Sequence, residues 1–267
     1  MPKFFMMFTK IAIIGTGNIG TWMFKTLQNQ AHLSVVSVLS RKIETLPQDS
    51  DLYIFALKDD VYGDVLQQIS FKMTCAVHTS GSLSQNILAP FAEKYGVVYP
   101  YQTITTEIES QPNKEMGDRR QKVGEKSYAL PVLRSSGLKN IPICIEGSDL
   151  DFENALLRWA ESVFSIVHKI NEKQRFAMHL AAVFANNFTN AMYGIAYQIF
   201  EDNNLDWSLI FPLLENSLEK AKHNDPRLVQ TGPAKRNDVS IMDKHCKALE
   251  NEDLKMLYKM VSSIINH

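Results

Sequence analysis

The 267-residue chain is long enough for one large or two modest domains with a real hydrophobic core. Twenty-eight basic against 29 acidic residues leave a formal charge of −1, which excludes the broad basic surface that nucleic acid or an anionic membrane requires. Cys75, Cys144 and Cys246 are widely spaced and odd in number, so neither a disulfide framework nor a zinc site is expected, and no other metal site is read.

Met1 to Lys10 holds an apolar patch too short for a signal peptide, and no apolar run approaches membrane-spanning length. A cytoplasmic location is therefore the expectation. The next element decides most about the chain. Lys10-Ile-Ala-Ile-Ile14 is a short apolar strand that runs into Gly15-Thr16-Gly17-Asn18-Ile19-Gly20, and a helix-like stretch follows from Ile19 to Asn29. Glycines at this spacing suit a dinucleotide-binding turn. Gly15 makes the tight turn, Gly17 lets the backbone approach a pyrophosphate, and Gly20 lets the helix pack on the strand. The helix start then offers unpaired N–H groups and positive dipole to phosphate.

The strand Ser34 to Leu39 runs out into Ser40-Arg41-Lys42, where an NAD site would place an acid for the ribose hydroxyls. A hydroxyl, a guanidinium and an ammonium suit a 2′-phosphate, so NADP(H) is the expected cofactor. The competing account makes Arg41 and Lys42 solvated loop charges. Asp51 to Leu57 is a continuous apolar run of the kind buried on both faces of a parallel sheet, with Leu57 and Lys58 at its tip and a helix onward to about Ser70. Thr74 to Val77 is a further strand opening into His78-Thr-Ser80-Gly-Ser82, then a helix to Tyr95. Strands at Gly96–Pro100 and Ile141–Ile145 follow, the second marked by Pro142 as an edge. A helix from about Asp151 to Val163 and a strand at Ser165–Lys169 complete the alternation expected of a doubly wound sheet. The loops at Gly15–Gly20, Ser40–Lys42, Leu57–Asp60 and His78–Ser82, Ser80 included, are expected to converge at the carboxyl ends of its strands. A polar stretch over 107–137 interrupts the pattern and reads as a mobile insertion, with a lid over the cofactor cleft as the alternative.

From Asn171 the pattern is helical only. Glu172 to Asn203 lacks proline and reads as one helix of about 30 residues. On it His179, Asn186, Asn190, Tyr193 and Tyr197 fall at i, i+7, i+11, i+14 and i+18, one stripe facing either solvent, a polar cleft or bridges in a dimer core. A helix from Trp207 to His223 follows. In Thr231-Gly-Pro-Ala-Lys235-Arg236-Asn-Asp238 two cations stand beside a helix start, and Asn237 or Asp238 caps a last helix running on to Ile265. That is an anion site for a substrate carboxylate or phosphate or for the cofactor, unless it is a solvated basic turn.

Gly15–Gly20, His78-Thr-Ser-Gly81, Tyr99-Pro-Tyr-Gln102, His179 to Asn187 and Thr231 to Asp238 together resemble the Rossmann-like proteins that carry a DUF2520 C-terminal domain. The resemblance covers nearly the whole chain. It implies kinship with pyrroline-5-carboxylate reductase and the 6-phosphogluconate dehydrogenase-like group: a Rossmann domain, a helical dimerisation domain and NADP chemistry with no substrate assigned. Two departures stand out. The segment 113–137 is longer than the family's usual connection, and Tyr99-Pro stands where a His-Pro pair is common, so no proton-transfer role carries over to that spot.

The expected architecture is α/β, with a Rossmann-type doubly wound sheet at residues 1–170 and an all-α domain at 171–267 that binds substrate and forms a homodimer. The expected function is an NADP-dependent oxidoreductase moving a hydride between NADP(H) and a small, anionic carbonyl or imine substrate. His179 is the first candidate proton donor and His78 the second, with a bound water or an already protonated imine as the alternatives. Asn186 and Asn190 would orient the reacting group, while Lys235 and Arg236 would hold its anion. Two rivals are a methyltransferase, which would want an acid where Ser40-Arg41 stand, and a non-catalytic NADP-binding sensor.

Overall fold

The computed structural model describes residues 8–104 and 140–266. The 107–137 insertion lies outside them. The described residues build a seven-stranded sheet in the order β2-β1-β3-β4-β5-β6-β7. Its strands are β1 (Lys10–Ile14), β2 (Ser34–Val38), β3 (Leu52–Phe55), β4 (Met73–His78), β5 (Ala92–Pro100), β6 (Ile143–Gly147) and β7 (Val167–Lys169). All neighbours are parallel except β5 and β6, which run antiparallel.

Alternating residues of the apolar strands feed two cores, which is why those runs lack a polar face. Ile11, Ile13, Leu52, Ile54, Cys75 and Val77 join Met23 and Leu27 of helix α1 (Asn18–Gln28) and Phe152, Leu156 and Trp159 of α3 (Leu150–Val163). Ala12, Ile14, Tyr53, Phe55 and Ala76 instead meet Tyr62, Val65 and Leu66 of α2 (Tyr62–Gln67) and Leu88. The sheet is thus covered on both sides, a Rossmann-like doubly wound arrangement.

Two details of the sheet differ from the sequence reading. The helix expected up to Tyr95 is a single turn at Gln85–Leu88, because Pro90 cannot continue it and pairing resumes where the Met73 amide donates to the Phe91 carbonyl at 2.9 Å. The strand after Pro142 is interior, between β5 and β7. Pro142 sits one residue before the strand, where its missing N–H is not needed, and its carbonyl accepts from the Tyr101 amide at 2.8 Å.

Helix α4 (Glu172–Ala182) opens with a reciprocal capping box in which Asn171 accepts from the Gln174 amide and the Gln174 side chain accepts from the Asn171 amide. It passes through a π-helical segment, Val183–Phe188, into α5 (Thr189–Asp202). The chain divides into two compact units, residues 1–188 and 189–267. In the second unit α5 is followed by α6 (Phe211–His223), α7 (Val239–Ala248) and α8 (Glu252–Asn266). The single last helix expected from the sequence is two, because Asn251 interrupts it and caps α8 by accepting from the Asp253 and Leu254 amides at 2.7 and 3.2 Å. Trp207 packs edge-on against Tyr197, Phe200 and Phe211, and His245 hydrogen-bonds Tyr258. Among the described residues beyond 188, only Ala234 is buried. No described helix is long and apolar enough to cross a membrane.

Candidate active site

The glycine turn has the form its spacing predicts. Gly15 takes φ +111°, and a Cβ there would lie 2.2 Å from the Ala56 carbonyl oxygen; one on Gly20 would lie 2.0 Å from the Gly15 carbonyl oxygen. Both positions therefore exclude a side chain. Gly17 differs, since nothing lies within 4 Å of where its Cβ would be. With Thr16 and Asn18 it is exposed at the start of α1, whose N-cap has no side-chain partner and whose first turn holds no acid. Ile19 is half-buried against the first core. An open backbone cradle at an uncapped, uncharged helix start can take a diphosphate through N–H groups and dipole.

Backbone hydrogen bonds gather the neighbouring loops at the same sheet end: Gly15 donates to Val38 at 2.9 Å, Ala56 to Ile14 at 2.8 Å and Thr79 to Phe55 at 3.1 Å. Ser40, Arg41 and Lys42 begin a 3₁₀ turn directly after β2, with Arg41 and Lys42 exposed. Leu57 is half-buried and Lys58 exposed beyond β3. The Ser80 hydroxyl is engaged locally, accepting from the Ser82 and Leu83 amides at 3.1 and 3.0 Å, and Ser82 in turn donates to Asp59.

His179, on α4, reaches this region. Its Nδ1 lies 3.2 Å from the Tyr99 hydroxyl at the end of β5, and the two rings meet edge to face. The ring rests on Gly81, where a Cβ would come within 2.6 Å of Nδ1. Asn186, in the π segment, donates to the Thr103 hydroxyl just beyond β5. His179 and Asn186 are thus brought to the same short stretch, Tyr99–Thr103. His78 is also close in sequence to Gly81 but is fully buried in β4. Its Nδ1 accepts from the Ser80 amide at 3.2 Å, and its Nε2 has no partner among the described residues. Burial first and the Arg175 charge second push its pKa down to about 4, so it stays neutral and sealed from substrate. Asn190 on α5 and Lys235 and Arg236 are exposed in the second unit. The latter two lie in a turn built by positive φ at Gly232 and Asn237, after which Asp238 caps α7 by accepting from the Ile241 amide.

Sequence reasoning missed the strut that holds α4 to the sheet. Arg175 is wholly buried; one guanidinium nitrogen donates to the Ser80 carbonyl at 3.0 Å and the other to Glu146 of β6 at 3.3 Å. Glu146 also accepts from the Glu172 amide at 3.1 Å, and Ser84 donates to the Glu172 carboxylate at 2.6 Å. Burial raises the Glu146 pKa while Arg175 opposes the rise. An arginine amid Lys173-Gln-Arg175 on a helix's first turn reads as surface charge, and only its position one turn past the Asn171 cap hints otherwise.

Residues 141–265 match the family model described as a domain of unknown function, DUF2520. The match spans 125 of the 267 residues and marks this stretch as similar to that domain. The match begins at the edge of β6, so the matched stretch contains Glu146, α3, β7 and the whole of α4, including His179. Among solved structures, a "putative NADP oxidoreductase" from Bacteroides fragilis is 27% identical with a TM-score of 0.79, the alignment covering 98% of this chain and 99% of that one. A protein from Thermotoga maritima is 20% identical with a TM-score of 0.63, over 96% of each chain. The 1-pyrroline-5-carboxylate reductase of Streptococcus pyogenes shares the fold at 14% identity and a TM-score of 0.53, over 96% and 98% of the two chains. No curated protein matches the chain.

Proposed function

We propose that this protein is an NADP(H)-dependent oxidoreductase acting on a small, anionic carbonyl or imine compound. The observation that carries the reading is the open cradle at Gly17, between two glycines that the packing requires, on an uncapped helix start beside the exposed Arg41 and Lys42. The likeness to the Bacteroides fragilis protein supports the same chemistry. Thr16, Gly17, Asn18 and Ile19 would hold the diphosphate, Ser40, Arg41 and Lys42 the 2′-phosphate, with Leu57, Lys58 and Ser80 along the neighbouring loops. A bound nicotinamide supplies the hydride.

The protein's part is to orient the substrate and move a proton. His179 is half-exposed and takes the proton-donor role, since the sealed His78 has no access to it. Asn186 and Asn190 orient the reacting carbonyl or imine. Lys235 and Arg236 hold the anionic group, and the chain works as a homodimer through its helical region. The test is a steady-state screen of NADPH oxidation against keto acids, cyclic imines and aldehydes. Turnover of any of these that falls in His179→Gln supports the reading, and NADPH binding without turnover of any class sinks it in favour of a non-catalytic sensor. With a substrate in hand, Arg236→Ala should raise its KM by roughly 10- to 100-fold, the usual effect of one lost charged contact, and leave the Kd for NADPH unchanged.

A further inference from the structure

Tyr99, the penultimate residue of β5, is 8% exposed, packed with Val97 and Cys144 and against Tyr101 and Met178. Its hydroxyl meets His179 Nδ1 at 3.2 Å, and among the described residues no other hydrogen-bond partner of that hydroxyl is present. Burial, with Tyr101 and Cys144 adding and Arg175 opposing, pushes its pKa up to about 12, so the group carries its proton at neutral pH. A buried O–H without an acceptor is costly, and the ring nitrogen is the acceptor in reach. The same edge of the imidazole is seated on Gly81, where a Cβ would lie 2.6 Å from Nδ1 and 3.0 Å from the Tyr99 ring carbon that bears the hydroxyl. The Nδ1 edge of the ring is therefore held by a hydrogen bond and by the close fit at Gly81.

We propose that Tyr99 is a positioning residue for His179, holding Nδ1 so that Nε2 is the nitrogen that hands a proton to the substrate. This rests on the oxidoreductase reading for its catalytic meaning. In the neutral ring Tyr99 donates to Nδ1 and the proton sits on Nε2. In the doubly protonated ring the contact reverses, Nδ1–H donating to the Tyr99 oxygen, and Nε2–H again faces outward. During reduction the substrate carbon gains a hydride, and the carbonyl oxygen or imine nitrogen takes the proton from Nε2. The N–H electron pair stays on the ring, which becomes neutral, and water returns the proton.

The test uses full-length protein with ¹⁵N-labelled histidine and long-range ¹H–¹⁵N correlation spectra at a pH where the ring is neutral. His179→Gln identifies the resonance. We expect the Nε2–H tautomer in the native protein and a mixture with the Nδ1–H tautomer in Tyr99→Phe, which keeps the ring and removes only the hydroxyl. With a substrate found, Tyr99→Phe should lower kcat by about 10-fold or more and leave KM for NADPH unchanged, a split that a packing role would not give. An Nδ1–H tautomer in the native protein, or an unchanged spectrum in Tyr99→Phe with turnover intact, overturns this inference alone. The expected spectra with no turnover of any substrate overturn its catalytic part together with the oxidoreductase reading. Should Tyr99→Phe fail to fold, Gly81→Ala crowds the Tyr99–His179 contact and is read the same way.

Discussion

Single residues here carry sharply different kinds of constraint. Gly15 combines φ +111° with a missing Cβ that would lie 2.2 Å from the Ala56 carbonyl oxygen, so Gly15→Ala should lower stability by about 2 kcal/mol or more, read by thermal melting of the cofactor-free protein. Gly17→Ala meets open space and should leave the melting temperature unchanged while weakening NADPH binding. Arg41 is the residue we propose to carry the cofactor preference. Its replacement by alanine should remove most of an NADPH-over-NADH advantage of about 1.5–3 kcal/mol, and equal affinity of the native protein for both cofactors would refute the assignment. His78 contributes a pH effect of definite sign. Its folded pKa of about 4 lies below the usual 6.5, so between those values the unfolded chain binds a proton that the native state refuses. Stability from this group is complete above pH 6.5 and declines, by roughly 3 kcal/mol at most, as pH falls toward 4. His78→Asn should flatten that window in a melting-temperature profile.

At the scale of elements, α4 is anchored by the Arg175–Glu146 pair and not by apolar packing alone. Arg175→Leu should destabilise the protein by about 3–5 kcal/mol, because it strands the Glu146 carboxylate and the Ser80 carbonyl. Combining it with Glu146→Leu should recover part of the loss, as double-mutant melts would show. The glycine turn and the two-faced strands were legible in the sequence because their signals are local: glycine spacing, and apolar runs without a polar face. Tyr99 and Arg175 were not. Each is defined by a partner about 80 to 95 positions away, His179 in one case and the Ser80 carbonyl in the other. The shape of the long helix was hidden too, since the π segment at Val183–Phe188 departs from the 3.6-residue repeat on which the His179–Tyr197 stripe was counted. Pro142 misled by type, the rule about prolines in strands applying only where an N–H is needed.

For the whole molecule, the helical region raises the question of what covers it. Met256, Met260 and Ile264 on α8 are 60%, 58% and 70% exposed, Leu213 and Leu218 on α6 61% and 59%, and among the described residues beyond 188 almost nothing is buried. Apolar surface on this scale is a solvent liability for a single chain. Two copies should therefore pair through residues beyond Asn171, and sedimentation of a monomer at micromolar concentration would count against the assembly.

The DUF2520 match starts at residue 141, while β6, which opens it, pairs along five residues with β5, which lies outside it. The boundary of the matched stretch thus falls inside one continuous sheet. Cut at residue 140, the C-terminal piece would display an unpaired β6 border, and the N-terminal piece would lose the partner of β5. Each fragment would then present a sticky strand to any other chain, so a graft or a split-protein design must break the chain elsewhere.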